Sequence, residues 1–104
     1  MEPIVVFITT ASHAEAEQIG RMLVERRLAA CVNIVPAVTS LFWWEGRIAA
    51  ESETFMIVKT SRERFADLSA AVSAQHSYSV PEIIALPIVD GAPAYLAWLK
   101  ENIP

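Results

Sequence analysis

The 104-residue sequence has a single cysteine, Cys31, and two histidines, His13 and His76. One cysteine excludes an intrachain disulfide framework. Three such ligands also fall short of the four that a closed histidine–cysteine zinc site requires within one chain. Eight lysines and arginines stand against twelve acidic residues, for a formal net charge of −4. The basic residues are scattered and form no basic stripe or basic–aromatic array, so nucleic acid is not an expected partner. Mild acidity is compatible with cations without specifying them. No apolar run approaches the roughly 18 residues of a membrane span. Met1-Glu2-Pro3 lacks a basic leader, and Ile4 to Ile8 is too short for a signal peptide. With the lone cysteine, this predicts a cytoplasmic protein. HExxH, CxxC, P-loop and GxGxxG patterns are missing, and the serines around Tyr78 lack the glycines of a nucleophile elbow. No enzymatic activity is expected.

What the chain does have is apolar surface. Hydrophobic residues make up 54% of it, before its three glycines are counted. Soluble domains average roughly 45–50% with glycine included, and so short a domain buries a modest fraction of its surface. The excess predicts a subunit interface.

The length suits one domain, residues 1–104, without repeats or linkers. Ile4 to Thr9 is apolar on both alternating faces and reads as a central strand. Ser12 followed by Glu15 is a capping box opening a helix, with Ala16, Ile19 and Leu23 on one face, expected to run to about Ala29. Cys31 to Trp44 and Ile48 to Thr60 are strands joined by Glu45-Gly46, a hairpin signal weaker than Asn-Gly. Ser61 is expected to start a second helix carrying Phe65, Leu68 and Val72. His76 to Pro81 is a loop, because Pro81 pushes Val80 out of helical geometry. Ile83 to Ile88 is the fourth strand, and Pro93 opens a last helix through about Asn102.

This order, β-α-β-β-α-β plus a helix, predicts an α+β ferredoxin-like domain with an antiparallel sheet in the order 4-1-3-2. Both helices of the repeat cover one sheet face, yet the strands are apolar on both. An uncovered face of that composition is one that monomers avoid. Fourteen residues from Cys31 to Trp44 span roughly 46 Å, against a diameter of about 34 Å for a globule of this size. The tip, with Leu41, Phe42, Trp43 and Trp44, must therefore overhang or the strand must bend, and Pro36 marks a plausible bend. A projecting apolar hairpin should clasp a neighbour.

Five stretches carry a family resemblance: Leu28-Ala29-Ala30-Cys31-Val32-Asn33-Ile34, Trp43-Trp44-Glu45-Gly46, Met56-Ile57-Val58-Lys59-Thr60, His76-Ser77-Tyr78-Ser79-Val80-Pro81-Glu82-Ile83, and Tyr95-Leu96-Ala97-Trp98-Leu99. In this order and spacing the chain resembles the CutA, or divalent-cation tolerance, family. The resemblance implies a homotrimer similar in plan to PII signalling proteins, a role in copper tolerance, binding of copper or other divalent metal ions, and no established catalysis.

Candidate donors for a metal are Cys31, His76 and Glu82. Cys31 is a soft ligand or a small buried hydrophobe. His76 is a ligand, with Glu82 joining it or orienting its ring, or a loop histidine bonded to the turn before Pro81. Glu82 sits between Pro81 and an apolar strand, where a carboxylate needs a partner such as Lys59, Arg47, His76 or Tyr78. Counting from the hairpin turn sets Lys59 opposite Val32, whereas one bulge near Pro36 sets it beside Cys31. Strands two and four are opposite sheet edges about 14 Å apart, so Cys31 and His76 share an ion only across subunits. The alternative reading is a PII-like signalling or scaffold trimer. Its inter-subunit clefts would take a small anion or partner protein, with Lys59, Arg47 and Tyr78 in the cleft. Trp43 and Trp44 are assigned to the interface.

Overall fold

The computed structural model describes residues 1–104. Its elements are β1 (Pro3–Thr10), α1 (His13–Glu25), β2 (Cys31–Trp44), β3 (Arg47–Ser61), a 3-10 turn (Arg62–Arg64), α2 (Phe65–Gln75), β4 (Ile83–Pro87) and α3 (Pro93–Asn102). The four strands form one antiparallel sheet in the order β2-β3-β1-β4, as expected.

Alternation along the central strands divides the sheet into two faces. Ile4, Val6 and Ile8 of β1 and Met56 and Val58 of β3 are buried beneath Ala16, Ile19 and Leu23 of α1 and Leu68 and Val72 of α2. Gly20 lets α1 approach β2, since a Cβ there would lie 3.3 Å from Val32 Cγ1. The other face carries Val5, Phe7, Phe55 and Ile57, all only partly buried, with Ile84 and Leu86 half exposed on the edge strand. Neither α1 nor α2 touches it, and α3 reaches it only near one end of β3. The uncovered apolar face expected from the sequence is present.

The hairpin makes the molecule long: its principal extents are 45 × 25 × 22 Å. Register slips by one residue between Val35 and Val38, a β-bulge at Pro36, whose missing N–H cannot serve the ladder. The Thr54 hydroxyl donates to the Pro36 carbonyl across this gap (3.2 Å). At the tip, Leu41 is 71% and Trp43 73% exposed.

Two helix boundaries differ from expectation. α1 ends at Glu25 rather than near Ala29, because Arg27 takes a left-handed conformation (φ 58°). The amides of Leu28 and Ala29 then both turn back to the Leu23 carbonyl (2.9 and 3.2 Å), satisfying an orphan carbonyl of the helix end. α2 starts at Phe65 rather than Ser61, which remains in β3 opposite Pro3. Pairing with β1 overrides the local capping signal.

Glu45 (φ 50°) and Gly46 (φ 78°) are both left-handed, the requirement of a type I′ hairpin turn, in which asparagine is favoured before glycine. Glu45→Asn should therefore raise stability by about 0.5–1 kcal/mol, read as a higher urea midpoint at fixed protein concentration.

Candidate functional site

The bulge places Cys31 directly opposite Lys59, one of the two registers open from the sequence. Lys59 Nζ lies 3.9 Å from Cys31 Sγ and donates to Asn33 Oδ1. The thiol also faces Asn33 Oδ1, at 3.8 Å. Tyr95 of α3 closes the group: burial, followed by the neighbouring Cys31 sulfur, pushes its hydroxyl above the usual phenol range. Cys31 is partly exposed within one chain.

A second polar cluster gathers where the end of β1 meets the middle of β3. His76 caps α2 and its side chain is fully buried. Nε2 lies 2.8 Å from the Thr9 carbonyl, which only accepts, so Nε2 carries the proton. Nδ1 then accepts the Tyr78 N–H (3.0 Å). Both ring nitrogens are engaged within the chain, and a metal ion would have to displace one of these bonds. The carboxylate facing the ring is Glu15, with Oε2 3.8 Å from Nδ1, and not Glu82. Glu15 also accepts from the Ser77 N–H (2.7 Å), the Ser77 hydroxyl (3.1 Å) and the Ala11 N–H (3.3 Å). Burial raises its pKa, but these bonds from Ser77 and Ala11, with His76 nearby, outweigh it and hold the carboxyl below its ordinary range.

Tyr78 stacks at a tilt on His76, with ring centroids 4.8 Å apart. Its hydroxyl donates to Glu53 Oε2 at 2.7 Å. Burial, then this bond and the Glu53 charge, push the phenol up to about 12. It therefore remains a donor to a carboxylate that is only 9% exposed. Glu82, expected to need a partner, is exposed and forms no ion pair within the chain.

Cys31, His76 and Glu82 are thus not brought together in one chain. No group of three or more histidine, cysteine or acidic side chains is arranged to hold a metal ion. Trp43 and Trp44 stand at the hairpin tip, remote from both clusters and largely exposed.

Residues 4–102 match the family model described as CutA1 divalent ion tolerance protein. The chain belongs to this family. Among curated CutA1 relatives, the "Divalent-cation tolerance protein CutA" of Thermus thermophilus is 50% identical over 98 residues, covering 94% of this chain and 95% of its own. That of Archaeoglobus fulgidus is 49% identical with the same coverage. A solved structure of the A. fulgidus protein, described as periplasmic, superposes with a TM-score of 0.95 at 46% identity, covering 98% of this chain and 99% of that one. CutA1 from Oryza sativa gives 0.97 at 39% identity, over 100% and 95%. The ferredoxin-like fold is therefore that of the CutA1 structures.

Sequence reasoning missed Glu15, Glu53, Asn33 and Tyr95. Glu15 gave a local signal as a capping residue, but its bonds to Ser77 span 62 positions of chain. Glu53 sits on the same side of β3 as Phe55 and Ile57, and an acid on that apolar face was the available clue.

Tyr78→Phe leaves the Glu53 carboxylate without its donor and should cost about 1.5–3 kcal/mol in chemical denaturation. Glu15 has a lowered folded pKa, so its stabilisation is complete above its ordinary value of 4.5 and is lost as pH falls through the folded pKa. Glu15→Gln should be less stable than wild type at pH 7, with the gap narrowing as pH drops below 4.5. A gap independent of pH would show that the ionised form contributes nothing.

Proposed function

We propose that this CutA1 family member acts as a cytoplasmic, non-enzymatic homotrimer in divalent-cation tolerance, binding copper or other divalent ions weakly at sites shared between subunits. The observation carrying this reading is the apolar sheet face that α1 and α2 leave uncovered, together with the aromatic hairpin that projects beyond it. Both leave surface that a neighbouring copy would bury, with the Leu41–Trp44 tip reaching across. The relatives' names supply the link to divalent cations.

The donor geometry supports a shared and weak site. Cys31 at the start of edge strand β2 and Glu82 at the start of edge strand β4 are the accessible donors. Only a contact between copies would join them. His76 would participate only by giving up the Tyr78 amide.

Assembly and ion binding are tested separately. Trp44→Ala should shift sedimentation toward smaller species on dilution, and a variant that stays fully trimeric would refute the clasp. Calorimetric titration of copper into reduced protein should show binding that weakens as pH falls, since the ligands must lose protons. It should shrink in Cys31→Ser and in Glu82→Gln, and unchanged binding in both would remove the assigned donors.

A further inference from the structure

The segment between β4 and α3, Ile88-Val89-Asp90-Gly91-Ala92, has no regular secondary structure. Its two ends are fixed. The Ile88 N–H donates to the Pro3 carbonyl (3.0 Å), and the Ala92 carbonyl accepts the Leu96 N–H as α3 begins (3.1 Å). Between them, the Gly91 N–H serves neither a ladder nor a helix. It donates to Oδ1 of the residue directly before it, Asp90, at 2.9 Å, and both residues are exposed. That bond folds the Asp90 side chain back along its own main chain and sets Cγ beside the Gly91 nitrogen. These are the two atoms whose union closes a five-membered imide.

Three other residues of the chain carry a side chain capable of the same cyclisation: Asn33, Asp67 and Asn102. They lie in β2, α2 and α3, where the backbone is committed to ladder and helix hydrogen bonds. Each precedes a bulky residue, Ile34, Leu68 or Ile103, whose side chain crowds the attacking nitrogen. Glycine adds no Cβ there. Only Asp90 combines a glycine neighbour, an irregular backbone and an amide already turned to its own carboxylate.

We propose that Asp90-Gly91 is a site of spontaneous covalent modification, at which aspartate isomerises to isoaspartate. The Gly91 nitrogen attacks Cγ of the protonated Asp90 carboxyl, and an N–Cγ bond forms. The Cγ–OH bond breaks, and the hydroxyl leaves with the amide proton as water. Water then opens the imide on either side: cleavage of N–Cγ restores aspartate, and cleavage of the original peptide C–N bond gives isoaspartate. The reaction is intramolecular and needs no reagent but water. Isoaspartate puts one extra atom into the backbone ahead of α3. Gly91 is packed so closely on Leu96 that a Cβ there would lie 3.2 Å from Leu96 Cδ2, so the added atom loosens the first turn of α3.

The native protein, held for several weeks in mildly acidic buffer and then digested, is read by mass spectrometry with electron-transfer fragmentation, which distinguishes isoaspartate from aspartate. The imide, lighter by one water, and isoaspartate should accumulate at Asp90 at least about tenfold faster than at Asp67. Because the fold holds the reacting atoms together, the rate should be no less than about a fifth of that in a free peptide spanning Ile88–Tyr95. Asp90→Glu, which could close only a six-membered ring, should abolish both products. Asp90→Asn should reach the same imide faster, with ammonia leaving in place of water. The isoaspartate form, separated by ion exchange, should show faster hydrogen exchange at the Leu96 amide than the parent. Equal levels at Asp90 and Asp67, or a native rate below a fifth of the peptide's, would overturn the proposal. The comparison of native protein with peptide decides it without any variant.

Discussion

The bulge at Pro36 governs what the sheet presents on each side. Strand side chains alternate with a period of two, so moving a pairing by one residue exchanges the faces of everything beyond it. Counted straight from the type I′ turn, β2 would set Val32 opposite Lys59 and turn Cys31 toward the helices. With one extra residue between Val35 and Val38, Cys31 meets Lys59 on the open face. Val32 turns inward instead, against the gap left by Gly20. The bulge thus completes the packing of α1 on β2 and assembles the Cys31–Asn33–Lys59 group in one step. It also separates the half of the hairpin embedded in the sheet from the half that projects.

The junction between the end of β1 and the middle of β3 is fixed by side chains rather than by register. Glu15 binds the start of the loop after α2, His76 spans from that loop to the end of β1, and Tyr78 fastens it to β3 through Glu53. Four elements meet in a network with no unsatisfied buried side-chain polar atom. Such a network is stable when complete and costly when one member is removed. It ties the serine-rich loop between α2 and β4 to three other elements. It also accounts for a buried histidine without recourse to a metal: the ring is a two-sided linker, donating on one side and accepting on the other.

Much of this was readable in the sequence, and the failures have identifiable causes. Strands, hairpin and sheet order follow from alternation, the Glu45-Gly46 turn and the handedness of crossovers, all local or topological rules. The end of α1 was not readable, because the residue that stops it is an arginine in a conformation that usually selects glycine or asparagine. Ser61 carries a helix-start signal that the ladder to Pro3 overrides. The pairing of Lys59 was reduced to two registers but not chosen, since a bulge leaves no mark beyond Pro36 itself. Glu82 attracted attention by its neighbours in sequence, whereas Glu15 and Glu53 gained their roles from contacts 62 and 25 positions away.

The location of Lys59 bears on how tightly any cation could be held. A divalent ion on the Cys31 sulfur would stand roughly 6 Å from the ammonium, where the repulsion at an effective dielectric of about 20 is on the order of 5 kcal/mol. That is comparable to the whole binding energy of a millimolar ligand, about 4 kcal/mol. Cation binding at Cys31 is therefore disfavoured unless the charge of Lys59 is compensated. A carboxylate brought beside Lys59 by a neighbouring subunit would supply that compensation. On this geometry, a lysine left without a counter-charge within the chain weakens any cation site built on Cys31.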